Sequence, residues 1–266
     1  TTHNALRLMT LWNAGVPVAA GASRSLTGMQ YDAGDTHGES GMDGFAFDEV
    51  TVQPVKLHAV EAMRRVLERS EEKVTLVPIG PLTNLALLFV QYPEVKEKIE
   101  EIVLMGGAFL RGNITPAAEF NIYVDPEAAS IVFNSGVPIV MAGLDVTHQA
   151  YITREENEIL RQKGGRIAVF AAELIDFFSR YHYEVEKLPG CTIHDACAVA
   201  YLCHPEIFVE KQCHVDIELE GSLTAGTTVC DPGNYEGKEK NATVLYGVDR
   251  EKFAELFIEA MSKLDK

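Results

Sequence analysis

The first chemical signal lies in one stretch of chain that carries Asn113, Glu119 and Asn121. Two amides and a carboxylate so close together can donate to and accept from adjacent hydroxyls, and a sugar ring presents such hydroxyls. The same residue types also build turns and caps. Asp125, directly before Pro126, is read that way, as a helix N-cap. For the trio, ligand contact is the stronger reading, because a long loop between a buried strand and a helix is usually functional. A second signal is the pair His194-Asp195, set just before the apolar run ACAVAYL. Taken alone, Asp195 reads as an N-cap accepting backbone N–H bonds. His37 stands in the Gly-rich segment DTHGES at 35–40, where a lid and a plain solvated loop fit equally. His148, after Asp145, reads equally as a satisfied buried side chain.

The elements around these residues follow a regular grammar. Residues 2–14 have helical spacing and stop at Gly15, and VPVAAG at 16–21 reads as a short buried strand. Helical segments at 57–69 and 82–91 precede the apolar runs KVTLVPIG at 73–80 and EIVLMGG at 101–107. DPEAASIVFNSG reads as a helix ending at Gly136, followed by the strand VPIVMAG. Short apolar strands alternating with amphipathic helices predict an α/β fold: an open, mostly parallel sheet flanked by helices. Near the C-terminus, 214–229 alternates and turns at Gly221, which predicts a small antiparallel addition. NATVLYGV at 241–248 is a further strand and 249–264 a closing helix. No linker divides the chain, so residues 1–266 are expected to form one domain. In such sheets ligands bind beyond the carboxyl ends of the strands, and those ends deliver DTHGES at 35–40, PLTN at 81–84, the loop 109–127 and LDVTH at 144–148.

Composition narrows the partners. The 266 residues carry a formal net charge of −16 without a Lys/Arg cluster to reverse it locally. Phosphate backbones and anionic membranes are therefore poor partners. No apolar run reaches the roughly 18 residues that span a bilayer. Five scattered cysteines without a C-x-x-C pair suit a reducing compartment. No secretory leader is visible, so a cytoplasmic location is expected. The phosphate-cradling G-x-x-x-x-G-K-[ST] and G-x-G-x-x-G motifs are absent, as are G-x-S-x-G and H-E-x-x-H.

Six blocks in order then make the sequence similar to one family. They are DTHGESGM at 35–42, LVPIGPLTNLA at 76–86, VLMGG at 103–107, GNITPAAEFNIYVDPEAA at 112–129, GLDVTHQA at 143–150 and IHDACAVAYL at 193–202. Together they resemble the inosine–uridine nucleoside hydrolases. The resemblance implies hydrolysis of the N-glycosidic bond of a ribonucleoside to ribose and free base, with a bound Ca²⁺. It implies that Asn113, Glu119 and Asn121 hold ribose hydroxyls, that Met105 lines the ribose pocket and that His37 lies in a loop over the base. Asp195 and the backbone carbonyl of Ile79 would be metal ligands, and His194 would protonate or hydrogen-bond the leaving base. A homo-oligomer, dimer or tetramer, is expected from the same resemblance.

The family pattern also opens with a strand that ends in an Asp-rich D-x-D-x-x-x-D-D motif, followed by a second strand. Neither is present in this sequence, whose first residues match the helix after that second strand. The expectation is a chain lacking its N-terminal strand–helix–strand, with a catalytically silent ribose- or nucleoside-binding homologue as the rival reading. The only Trp is Trp12, which resembles the inosine–uridine or pyrimidine-preferring branch more than the purine branch. Tyr181 and Tyr183 are alternative aromatic contacts.

Overall fold

The computed structural model describes residues 1–28 and 40–264. The expected α/β architecture is present. Six strands form one sheet in the order β1-β2-β3-β8-β6-β7. These are β1 (Val74–Leu76), β2 (Ile99–Met105), β3 (Ile139–Ala142), β6 (Phe208–Ile217), β7 (Thr228–Asp231) and β8 (Ala242–Val248). β1, β2, β3 and β8 run parallel, with Ile102 opposite Ile139 and Met105 opposite Ala142, then Ile139 opposite Ala242 and Ala142 opposite Leu245. β6 and β7 are the antiparallel addition. β4 (Tyr151–Ile152) and β5 (Cys191–Thr192) form a separate two-stranded sheet.

Alternation along each strand feeds two cores, because successive side chains leave opposite faces. Ile102, Leu104, Ile139, Met141 and Val244 face helices Ala59–Arg69, Thr83–Gln91 and Pro126–Phe133. Val103, Val140, Ala142 and Leu245 face the other way, onto helix Ala196–Cys203 and Phe253 of the closing helix Arg250–Lys263. Strands buried on both faces need continuous apolar sequence, and that is why IVLM and IVMA read as they do. Among the described residues no helix is long and apolar enough to cross a membrane.

One expectation changes. Residues 16–21 are not a buried strand. They make one parallel bridge, Ala19 to Val55, with Val55 N–H donating to the Val18 carbonyl at 2.8 Å. Val16 remains 59% exposed. Pro17 has no N–H to give, and a strand has to bury its faces against neighbours that this segment does not have among the described residues. The further strand expected at 241–248 is present as β8; it sits inside the sheet, parallel to β3 and antiparallel to β6.

Candidate functional site

The site is built on a corner at the carboxyl end of β2. The chain leaves Met105 through Gly106 and Gly107, and Gly107 adopts φ +78°, in the left-handed region where a side chain is strained. A Cβ there would lie 2.9 Å from both Met141 Sδ and Thr228 Cγ2. The corner is clamped from β7: Ala108 N–H donates to Thr228 Oγ1 at 2.8 Å, and that hydroxyl donates to the Ala108 carbonyl at 2.6 Å. So fixed, Gly107 N–H points at Glu119 and donates to Oε2 at 2.9 Å.

Glu119 is also the N-cap of helix Phe120–Val124, with Ile122 N–H donating to the same oxygen at 3.2 Å. It is only 3% exposed. Burial pushes its carboxyl up to about 7; the N–H groups of Asn121, Gly107 and Ile122 pull the other way, and Asp195 adds to the rise. A buried carboxyl held by backbone donors and sensing a second carboxylate is more than a cap needs. Its neighbours are oriented as tightly. Asn121 donates its amide to the Met105 carbonyl at 3.1 Å and lies 3.3 Å from Met105 Sδ. Met105 is buried, and its N–H is held by the Pro78 carbonyl at 3.0 Å, which ties β2 to the β1 loop. Asn113 accepts from Phe120 N–H at 2.9 Å, so its oxygen is spent on the loop and its amide nitrogen is the group left to donate outward. The trio is thus brought to one corner, with Asn113 exposed at its mouth and Glu119 at its floor.

Asp125 is the helix cap that the sequence predicts, accepting from Ala128 N–H at 3.2 Å. It also receives Thr83 Oγ1 at 2.5 Å and Leu26 N–H at 2.9 Å. Fully buried, it locks the first residues of the PLTN helix to the loop after residue 21. Asn84 does the same from the next position, accepting from Ala22 N–H at 2.8 Å.

His194 is held on both sides of its ring. Nδ1 lies 2.8 Å from Thr147 Oγ1 and Nε2 2.9 Å from Thr192 Oγ1. Thr192 Oγ1 is in turn 2.8 Å from His182 Nε2. His148 meets the His194 ring edge-on, with centroids 5.7 Å apart. Burial and the Arg111 charge lower the His148 pKa against a smaller pull from Asp145, which keeps its ring neutral. Asp145 serves the corner loop, accepting from Phe109 N–H at 2.5 Å and Leu110 N–H at 3.1 Å.

Asp195 is the instructive departure. It occupies the N-cap position of helix Ala196–Cys203, yet its side chain makes no cap hydrogen bond. It is open to solvent, but the protein atoms crowding it push its carboxyl up to about 6. A cap residue that does not cap, next to a His pinned by two hydroxyls, keeps its oxygens for something else. The Ile79 side chain is 48% exposed in the loop after β1. As oxygen donors, Asp195 and the Ile79 carbonyl suit a hard cation, but calcium takes six to eight oxygens. Among the described residues no group of three or more His, Cys, Asp or Glu is arranged to hold a metal. The described donors therefore do not fit a calcium ion by themselves. His37 lies outside the described residues, as does most of DTHGES.

Thr147, Thr192, Thr228 and His182 were not singled out by sequence reasoning. A signal existed for one of them. Thr192 and His194 are two residues apart at a strand end, a spacing that puts both side chains on one face. Thr147 and Thr228 depend on contacts far apart in sequence, and His182 on one across the turn to Thr192.

With this geometry in place, similarity to known proteins is informative. The family model described as inosine-uridine preferring nucleoside hydrolase matches residues 1–255. The chain is 50% identical over 267 residues to the pyrimidine-specific ribonucleoside hydrolase RihA of Shewanella baltica (strain OS155 / ATCC BAA-1091), covering 100% of this chain and 84% of that protein. To the protein of the same name from Escherichia coli O1:K1 / APEC it is 48% identical over 264 residues, covering 98% and 85%. Its fold superposes on a purine-preferring ribonucleoside hydrolase from Gardnerella vaginalis with a TM-score of 0.91 at 31% identity, over 100% of this chain and 86% of that one. The chain carrying the Glu119 corner and the His194-Asp195 pair belongs to the inosine-uridine preferring nucleoside hydrolase family.

Proposed function

We propose that this enzyme hydrolyses the N-glycosidic bond of ribonucleosides, with pyrimidine ribonucleosides preferred, releasing ribose and the free base. The observation that carries this reading is Glu119, a buried carboxylate held by the Gly107 and Ile122 amides at a strand end, with Asn121 and Asn113 beside it. The pyrimidine preference draws its support from the names of the relatives at about half identity.

In the proposed mechanism the ribose sits over the corner. The Asn113 amide donates to one hydroxyl, while Glu119 and the Asn121 carbonyl accept from others. Rupture of the C–N bond, whose electron pair leaves with the base, gives the ribosyl group oxocarbenium character, as in other glycoside hydrolyses; a water molecule then forms the new C–O bond and gives its proton to solvent, which completes ribose. A carboxylate fixed by backbone donors in a poorly solvated corner needs no reorganisation to stabilise that charge. The departing base leaves more easily with a proton. His194, with its ring orientation set by Thr147 and Thr192, is assigned that hydrogen bond or proton once substrate draws it from one hydroxyl. Hydrogen bonds at such sites commonly rearrange when substrate arrives. Asp195 adds negative potential facing the same charge.

The experiment is ribose release from a panel of uridine, cytidine, inosine and adenosine, with and without added calcium. Faster release from uridine and cytidine supports the reading. Equal rates on all four overturn the pyrimidine preference. Nucleoside binding without ribose release from any of them overturns the hydrolytic assignment and leaves a silent binding homologue.

A further inference from the structure

The corner beneath Glu119 is made of permissive backbone, since Gly106 and Gly107 follow one another and neither has a Cβ to restrict it. What holds Gly107 comes from outside the loop. The peptide plane between Gly107 and Ala108 is fastened at both ends: its carbonyl accepts from Leu144 N–H at 2.9 Å, and its N–H donates to Thr228 Oγ1 at 2.8 Å. The Thr228 hydroxyl spends its single proton on the Ala108 carbonyl at 2.6 Å, so the next peptide plane is held by the same oxygen. Thr228 and Ala108 are both buried, which shields the clamp from competition by solvent. We propose that Thr228 is a positioning residue for the reaction: its hydroxyl fixes the direction of the Gly107 amide and, through that amide, the Glu119 carboxylate.

The two branches of the Thr228 side chain do different work. Cγ2 lies 2.9 Å from where a Gly107 Cβ would sit, so the methyl packs over the glycine while Oγ1 does the fastening. The hairpin that carries Thr228 also reaches the other half of the Glu119 cradle. Gly226, at φ +83°, donates to the Glu218 carbonyl at 2.7 Å, and a Cβ on it would lie 2.9 Å from Tyr123 Cα. Tyr123 belongs to helix Phe120–Val124, which supplies the Ile122 N–H to Glu119. One hairpin therefore backs both the Gly107 and the Ile122 donors of Oε2 without a side chain of its own on the substrate. A group preorganised by fixed donors loses much of its effect when it is misaimed by about 1 Å. The effect on turnover rests on the proposed role of Glu119 toward the sugar; the fastening of Gly107 does not.

Three variants of the full chain, with calcium present, separate hydroxyl from methyl. Thr228→Val keeps the branched shape and loses the hydroxyl, Thr228→Ser keeps the hydroxyl and loses the methyl, and Thr228→Ala loses both. Amide hydrogen exchange at Gly107 is read by NMR, and kcat and KM are measured on uridine. Thr228→Val should speed Gly107 exchange at least about fivefold and lower kcat about tenfold or more, with the smaller change in KM. Thr228→Ser should stay within about threefold of the native protein in both readings. In a Glu119→Gln background, Thr228→Val should cost less than about threefold more in kcat/KM, because a residue that acts through Glu119 has little left to lose. Should Thr228→Val fail to fold, Thr228→Ser and Thr228→Ala differ by the hydroxyl alone, and the same contrast between them is expected. Native exchange at Gly107 in folded Thr228→Val, or in Thr228→Ala where only that variant folds, overturns the proposal. Losses with Thr228→Ser but not with Thr228→Val assign the residue to packing and overturn it as well. An undiminished further loss in the Glu119→Gln background overturns action through Glu119. Native protein that releases no ribose counts against the hydrolase reading alone, since Gly107 exchange still judges the positioning.

Discussion

Replacing Glu119 with Gln separates what the side chain does for the fold from what it does for a ligand. The Gln carbonyl can accept from Gly107 and Ile122 as Oε2 does now, so the cap and the corner are kept. The charge and one acceptor are lost. Burial holds the Glu119 carboxyl at about 7, against an ordinary value of 4.5. The folded protein therefore binds this proton more tightly than the unfolded chain does. Between about pH 4.5 and 7 the native state holds more protons, and stability falls as pH rises. At about 1.4 kcal/mol per pH unit, the ionised carboxylate costs the fold about 3 kcal/mol at pH 8. Gln carries no such cost. Urea denaturation should find Glu119→Gln more stable than the native protein at pH 8 by up to about 3 kcal/mol, with the gap closing towards pH 4. Because Asp195 is present in both proteins, its titration largely cancels from the difference. Catalysis should move the other way. Loss of a charge-assisted hydrogen bond to a ribose hydroxyl costs about 1.5–3 kcal/mol, which is more than tenfold in kcat/KM on uridine. A variant less stable than the native protein at pH 8 would refute the argument that Glu119 is held at a cost. Native kcat/KM in a folded Glu119→Gln would refute its role toward the sugar.

Three further outcomes are expected. His194→Ala should lose most activity on natural nucleosides but far less on p-nitrophenyl riboside, whose leaving group needs no proton; equal losses in kcat/KM on both would make His194 a packing residue. Asp125→Ala strands the Leu26 amide and the Thr83 hydroxyl and removes the cap on Ala128, so urea denaturation should show a loss of about 3 kcal/mol or more, and a loss below about 1 kcal/mol would mean that the site relaxes around the change. Burial raises the Glu156 carboxyl, but Arg250 and the Thr153 amide outweigh it and hold the pKa below the ordinary value. The stability this pair adds should be present above about pH 4.5 and lost as pH falls through the lowered value; Glu156→Gln should cost about 1 kcal/mol at pH 7 and progressively less as the pH is lowered below about 4.5, as read by denaturation across that range.

Which parts of this molecule the sequence makes legible depends on the range of the interactions involved. β3 and the second half of β2 are apolar runs ended by Gly, and burial on both faces leaves no alternative for such segments. Asp125 before Pro126 is a cap because the backbone there demands an acceptor, and the signal spans a few residues. Residues 16–21 have the same local grammar but no strand ladder, since a strand is completed by neighbours and not by its own residues. β8 shows the converse: nothing within NATVLYGV says that it enters the sheet between β3 and β6. That placement follows from which edge of β3 is open when the chain returns, a property of the whole topology. The site divides along the same line. Asn113, Glu119 and Asn121 stand out because three polar residues crowd one short loop, and their partners are within it or at the end of the preceding strand. Thr228 lies 120 residues from the Ala108 it clamps, and Thr147 lies 47 from His194; a threonine at that distance carries no local mark of its task. Asp195 sits at the crossing of the two cases. Local grammar reads it as a cap, whereas in the structure it leaves the helix uncapped and bears a raised carboxyl. A position where local preference is strong and the fold overrides it is a position where something other than folding sets the residue. In the proposed mechanism, that is the physical reason to set Asp195 beside Glu119.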